Sequence, residues 1–419
     1  MTTFPLNQAT DWVEEFGSPL YVYDAATIAQ QYRRISGAFD DDLNVGIHFA
    51  CKALNNLNIL RLLKAEGAGL DAVSLGEIHL GLQAGFTPDE ILFTPNGVGM
   101  GEIRAAVEIG VHINIDNLET LEEFANEFGN SIPICVRINP HIMAGGNAKI
   151  SVGHIDSKFG ISIHQMRHLH RIVDHMGLHV HGLHMHTGSD IIDIASFMRG
   201  ANLLLEVAHD FKELTYIDFG SGFKIGYKPQ ERTTDIEAFG ATMSARFKEF
   251  CLEYGRDLQL IFEPGKFLVS EAGAFLTTVN STKTTPSTVF AQVDSGFNHF
   301  PRPMLYDAYH HIENISNPEG ENRLYTIVGY ICETDTFGYD RQLSEVRRGD
   351  VLAFHNAGAY CSTMASNYNS RVRPAEVLVM HGQAHLIRER ETIEDLTRGI
   401  VALDLFQEEV KASEEFVLN

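Results

Sequence analysis

The 419 residues carry 32 Lys+Arg against 55 Asp+Glu, a formal charge of −23, with 44% hydrophobic and 21% charged side chains. That acidic balance argues against a nucleic-acid duplex or an anionic membrane as partner, since both need clustered basic side chains. No apolar run approaches the roughly 18 residues that span a bilayer, and the five cysteines lack CxxC spacing, which disfavours a disulfide framework or structural zinc.

The start, MTTFPLNQATDW, has no basic stretch followed by an apolar one, so no signal peptide is expected and a cytoplasmic enzyme is. Within the first 26 residues, YVYD is a strand that could join either of two parts. Over 27–265, short apolar strands then alternate with helical patterns. Strands are expected near Val45, Gly69, Ile91, His112, Ile132, His179, Leu214 and Leu258. Between them NILRLLKAEG, LGEIHLGLQAG, MGEIRAAVEIG and ETLEEFANEF repeat apolar residues every three or four positions, and several such segments end at Gly. Eight βα units in about 240 residues predict a closed α/β barrel of the (β/α)₈ type; an open doubly wound sheet is the alternative. A long polar loop, AGGNAKISVGHIDSKFG, and a helix around Gln165–His175 separate the fifth and sixth strands. From 266 to 419 the texture becomes β-branched and aromatic runs broken by Gly, Asp and Asn, which predicts an all-β domain closed by a short helix near Thr392–Leu403.

Barrels place reactive groups at the C-terminal ends of their strands. Those ends hold Lys52, Asp71 with Ser74, Asn96, Arg137 with Asn139, His184 with His186 and Ser189, Asp218 with Gly220 and Gly222, and Glu263. Lys52 reads either as a snorkelling surface lysine or as a Schiff-base lysine whose pKa a desolvated mouth depresses. In DFGSGF, two glycines flank Ser221, and successive backbone N–H groups there predict an anion nest suited to phosphate. Its spacing is one residue too long for a dinucleotide fingerprint. Eight of the 20 histidines fall between His164 and His186. HVHGLHMH offers a metal reading in which His184 and His186 share a strand face, with Asp218 and Glu263 as further ligands. Glu263, in FEPGK, reads as a turn residue or as the acid partner of a heterocyclic nitrogen.

Together these motifs resemble the fold-type III pyridoxal-phosphate (PLP) decarboxylases of basic amino acids, the diaminopimelate decarboxylase branch most closely. The resemblance runs from YVYD to RPAEVLV, through CKALNN, GLDAVSLGE, SKFG, GLHMHTGSD, DFGSGF, EPGK, RPMLY, CETD and GAY…MASNYNSRVRPAE. It implies that Lys52 carries PLP with Asp71 nearby, that His186 lies flat against the ring, and that Glu263 pairs with the pyridine nitrogen. Ser189, Gly220, Gly222 and the Pro264–Gly265–Lys266 turn would hold the phosphate, with Tyr360 adding a hydroxyl. Substrate contacts would come from Lys266, Arg302, Tyr306 and Tyr360. In a homodimer with shared active sites, Cys332 would arrive from the other chain as proton donor and Glu333 would meet the distal amine. No metal belongs to that site. The implied reaction is decarboxylation of meso-2,6-diaminopimelate to L-lysine; a decarboxylase of ornithine, lysine or arginine is the nearest alternative, and a metal-dependent barrel hydrolase a more distant one. Three departures from the family pattern bear on substrate preference: Lys266 replaces the usual Arg, Leu54 precedes Asn55 and Asn56 in the first motif, and CETDT replaces CESGD.

Overall fold

The computed structural model describes residues 5–142 and 156–403. Most of the polar loop expected at 144–160 therefore lies outside the described residues, as does the chain beyond 403. Among the described residues, no helix is long and apolar enough to cross a membrane.

The eight expected strands form: Val45–Ala50, Gly69–Ala72, Ile91–Phe93, His112–Ile115, Ile134–Asn139, Val180–His184, Tyr216–Asp218 and Gln259–Phe262. Each pairs in parallel with its sequence neighbour. The eighth closes on the first, with Leu260 opposite Val45, so the sheet is a barrel and not an open doubly wound layer. The helices between strands follow the apolar spacing. Leu57–Glu66 starts at Asn56, whose side chain accepts from the Asn58 N–H, and Leu75–Ala84 starts at Ser74, which accepts from Glu77. Such caps satisfy donors that a helix N-terminus would otherwise leave open.

One part of the core bears directly on the barrel mouth. Phe219 and Phe223 flank the Gly-Ser-Gly turn after the seventh strand and are buried. Phe223 meets Phe239 edge-on, with centroids 4.9 Å apart, and Phe239 meets Phe197 at the same separation. Phe262, beside Glu263, packs 5.6 Å from Phe239. Edge-to-face rings of this kind hold a fixed geometry, so the turn is anchored on both sides.

The remaining strands form a second, mixed sheet. Gly273–Thr284 is its longest strand and pairs antiparallel with Leu20–Asp24, Val289–Val293 and Val351–His355. The YVYD strand thus lies in this sheet, parallel to Ala375–Met380. A second parallel pair, Val289–Val293 with Asn322–Val328, departs from a purely antiparallel pattern. RPMLY forms a one-turn helix, Arg302–Tyr306, and the expected closing helix is Ile393–Thr397.

The two parts share one apolar core and several buried polar ties. Asn356 donates to the Gly226 carbonyl at 2.6 Å, and Tyr360 N–H donates to Ala53 O at 2.9 Å. Asn56 reaches Glu376 at 3.2 Å while Leu54 is buried in the core, which gives the shifted first motif a packing role. Gly358 is dictated by space: a Cβ there would sit 1.7 Å from the Val269 carbonyl oxygen. That close approach brings Tyr360 over the barrel mouth.

Phe223→Ala should lower the unfolding free energy by about 3–5 kcal/mol, the cost of emptying a filled aromatic site. Chemical denaturation measures it, and an unchanged midpoint would contradict the anchoring role.

Candidate active site

A cavity of about 940 Å³ opens at the C-terminal end of the barrel, between the strand ends and the Arg302–Tyr360 side of the second sheet. Of the residues singled out from sequence, Lys52, Asp71, His186, Ser189, Gly222, Glu263, Gly265, Lys266, Arg302, Tyr306 and Tyr360 line it. Gly220 and Pro264 sit immediately behind lining residues. Cys332 is exposed and does not line the cavity, nor does Glu333.

Lys52 follows the first strand in a single 3-10 turn, Cys51–Ala53. The register Ala50↔Asp71 puts Asp71 beside it, and Nζ lies 2.5 Å from Asp71 Oδ2. Burial works against the ammonium, yet Asp71, Tyr360 and Glu263 outweigh it and raise the Lys52 pKa. The sequence expectation of a depressed lysine is thus overturned for the free side chain. Its premise of a desolvated mouth omitted the carboxylate one strand away.

Glu263 directly follows the eighth strand. Its Oε2 lies 3.1 Å from His184 Nε2, and its Oε1 is buried with no N–H or hydroxyl donor. Because the carboxylate can only accept, His184 carries its proton on Nε2. Burial disfavours the charge on Glu263, but His184 and then Lys52 overcome that and hold it well below the usual carboxylate range. Asp218 moves the opposite way: burial, followed by the Glu263 charge, pushes its carboxyl well up. The two carboxyls therefore titrate as a coupled pair, with burial and the Glu263 charge driving Asp218 up while His184 and Lys52 draw Glu263 down. Donor atoms of His184, Asp218 and Glu263 lie within 4.8 Å of one another. His186 is not in this group, so the HxH pair does not converge as the metal reading supposed.

His186 instead accepts from the Ser221 N–H through Nδ1 at 3.2 Å. Burial, followed by Arg137, lowers its pKa to about 3, so the imidazole entering the cavity is neutral. The same contact revises the expected anion nest. Gly220 N–H is already given to Asp218 Oδ1 at 2.8 Å, and Ser221 N–H to His186. What the glycines supply is closeness. A Cβ on Gly220 would lie 2.7 Å from His186 Nδ1, and one on Gly222 would lie 2.3 Å from Gly188 O.

Lys266 is buried and pairs with Asp190 Oδ1 at 2.5 Å. Arg302 is also buried, but its neighbours are neutral: Nε donates to His310 Nε2 at 3.2 Å and Nη2 to Tyr227 OH at 3.3 Å. No carboxylate among the described residues pairs with it. A buried guanidinium lacking a counter-ion at a cavity wall is a receptor for a carboxylate. Asp190, Tyr227 and His310 were not singled out from sequence. Asp190 ends the quoted GLHMHTGSD motif and takes a positive φ of 64°; His310 and Tyr227 lie in loops with no periodic signal.

The Cys332 loop is fixed by Asp335, whose carboxylate accepts from Phe297 N at 2.7 Å and Ile331 N at 3.2 Å. Asn369 donates to Cys332 Sγ at 3.2 Å, and the Tyr368 hydroxyl donates to Glu333.

Five buried histidines are held neutral by desolvation: His48, His181 and His299 fall from 6.5 to about 4, His186 and His310 to about 3. Unfolding returns each to its ordinary value, so the unfolded chain binds more protons below that value. Their contribution is complete above pH 6.5 and is lost as pH falls toward the folded values. Thermal unfolding should therefore show Tm dropping steeply from about pH 6.5 to about pH 4, with proton uptake on unfolding; a flat profile would contradict it.

Residues 25–270 match the family model described as pyridoxal-dependent decarboxylase, pyridoxal binding domain. The chain is 41% identical over 400 residues to the diaminopimelate decarboxylase of Methanothermobacter thermautotrophicus, covering 93% of each. It is 34% identical to that of Escherichia coli, covering 91% of this chain and 93% of the relative. Among solved structures it is similar to diaminopimelate decarboxylase from Helicobacter pylori complexed with L-lysine, with TM-score 0.85, 32% identity, and coverage of 93% and 98%. With a barrel, a lysine-lined mouth and matches of this length, the chain belongs to the pyridoxal-dependent decarboxylases, in the diaminopimelate decarboxylase family.

Proposed function

We propose that this chain is a PLP-dependent carboxy-lyase that converts meso-2,6-diaminopimelate to L-lysine and CO₂, as a homodimer with shared active sites. In this reading residues 27–265 form the PLP-binding barrel, and 266–419 the β-domain, which the N-terminal strand joins. The observation that carries it is one cavity holding the Lys52 amine, the ionised Glu263 and an Arg302 that no carboxylate among the described residues pairs with.

The donor set fits the cofactor. Lys52 supplies the amine that would hold its aldehyde, with Asp71 keeping that amine in place. The Oε1 of Glu263, to which no N–H among the described residues donates, suits a protonated ring nitrogen. His186 offers a neutral imidazole against the ring. Gly220 and Gly222 leave room that any side chain would fill, and Ser189, Pro264, Gly265, Lys266 and the Tyr360 hydroxyl complete a phosphate pocket. When bound, PLP supplies an electron-withdrawing ring that accepts the electron pair left on Cα as CO₂ departs.

The chain's own residues do the rest. Glu263 keeps a fixed negative charge facing the ring nitrogen, and His184 keeps Glu263 ionised. Arg302 takes a substrate carboxylate, with the Tyr306 ring centroid 5.9 Å from its guanidinium carbon. Lys266 acts with Asp190 as a pair, so its charge is partly spent before substrate arrives. Cys332 of the partner subunit donates the proton that replaces CO₂ at Cα, and Glu333 of the partner subunit meets the distal ammonium. Support for their arrival in trans is that both are exposed and outside their own chain's cavity.

CO₂ release measured on meso-diaminopimelate, L-lysine, L-ornithine and L-arginine should show turnover confined to the first; no release from it would end the proposal. Glu263→Ala should lower kcat by about 10²-fold or more, roughly 3 kcal/mol in barrier, and full activity would refute the charge role. Lys52→Ala and Cys332→Ala should each be nearly inactive, and co-expressed they should recover about one quarter of native activity, since half of randomly mixed dimers regain one site. No recovery would place Cys332 in the same chain's site.

A further inference from the structure

A second cluster of metal-binding side chains stands apart from the cavity. The strand Ile312–Asn314 pairs antiparallel with Val351–His355, with Ile312 opposite Phe354, and His355 N–H donates to His311 O at 2.9 Å. Alternation along a strand puts His311 and Glu313 on one face; the register places His355 beside them. Donor atoms from the three side chains lie within 4.8 Å of one another. None of the three lines the catalytic cavity.

The state of His355 points to a ligand. It is 6% exposed, and its Nδ1 is buried without a hydrogen bond. Among the described residues, Nε2 meets only the Glu313 carboxylate, with Oε1 at 3.3 Å, and the ring centroid is 5.3 Å from that of His311. A buried imidazole nitrogen with no partner is unfavourable, and the other nitrogen is directed into the His311–Glu313 group. The Glu313 side chain is 43% exposed, so an ion can enter and keep water in an open position. The cation nearby, Arg341, is held over the Tyr309 ring, 3.9 Å from its centroid.

We propose that His311, Glu313 and His355 bind one divalent transition-metal ion of the zinc class. Two imidazoles and one carboxylate match the donor preferences of Zn²⁺ and Co²⁺ and disfavour Mg²⁺ and Ca²⁺, which take oxygen ligands. The ion would fasten the strand Ile312–Asn314, which His310 precedes, to its neighbour Val351–His355. His310 Nδ1 donates to His355 O at 2.8 Å while its Nε2 supports Arg302, so the clamp braces the backbone from which Arg302 is positioned.

The test uses metal-stripped protein loaded with PLP, a choice that rests on the proposed function; the cofactor would occupy the cavity that His184 and Glu263 line. Titration with Co²⁺ should give one ion per chain at micromolar concentration, with visible absorption from a nitrogen–oxygen site that Zn²⁺ displaces. His311→Ala and Glu313→Gln should each weaken binding by at least about tenfold, with thermal unfolding of the metal-free variants matching that of the metal-free parent. Glu313→Gln keeps the side-chain shape and guards against misfolding in the other variant. Absence of Co²⁺ binding in the parent, or binding that both variants retain, would overturn the site.

Discussion

A negative charge that stays ionised while buried is the constraint around which the cavity is organised. Glu263 would take up a proton if burial acted alone; His184, with its N–H at 3.1 Å, and then the Lys52 ammonium prevent it. Each of these three residues ends a barrel strand, so the closed parallel sheet itself sets their spacing. Opening the barrel between the sixth, seventh and eighth strands would separate the donor, the proton holder and the charge. The aromatic cluster behind Phe219, Phe223 and Phe262 resists that motion by packing and not by polar contacts.

The second sheet completes the mouth. Its contribution is a buried cation: Arg302 rests on neutral His310 and Tyr227, and no carboxylate among the described residues pairs with it. Lys266 stands in contrast. Its salt bridge to Asp190 is already formed, and a lysine lacks the planar fork with which an arginine could hold two carboxylates at once. In the proposed function, recognition of the substrate carboxylate would therefore rest on Arg302 more than on Lys266.

Much of the fold could be read directly from the chain because its periods are clean. All eight strands form where apolar runs stop at polar residues, and the reactive groups follow from those stops. Properties that depend on pairing were less accessible. The raised Lys52 pKa is not legible in sequence because Asp71, its partner, lies 19 residues away and meets it only through the register of adjacent parallel strands. The nest in DFGSGF was overestimated because the consumers of its N–H groups, Asp218 and His186, sit on side chains whose orientation no motif states. His310 escaped notice because a loop histidine has no periodicity, and its importance lies wholly in holding Arg302.

Borohydride reduction of the purified holoprotein followed by peptide mass spectrometry tests whether the Lys52 amine holds PLP opposite an ionised Glu263. A reduced pyridoxyl-phosphate adduct is expected on the peptide containing Lys52, with loss of the visible absorption band. An adduct on another lysine, or none at all, would contradict it.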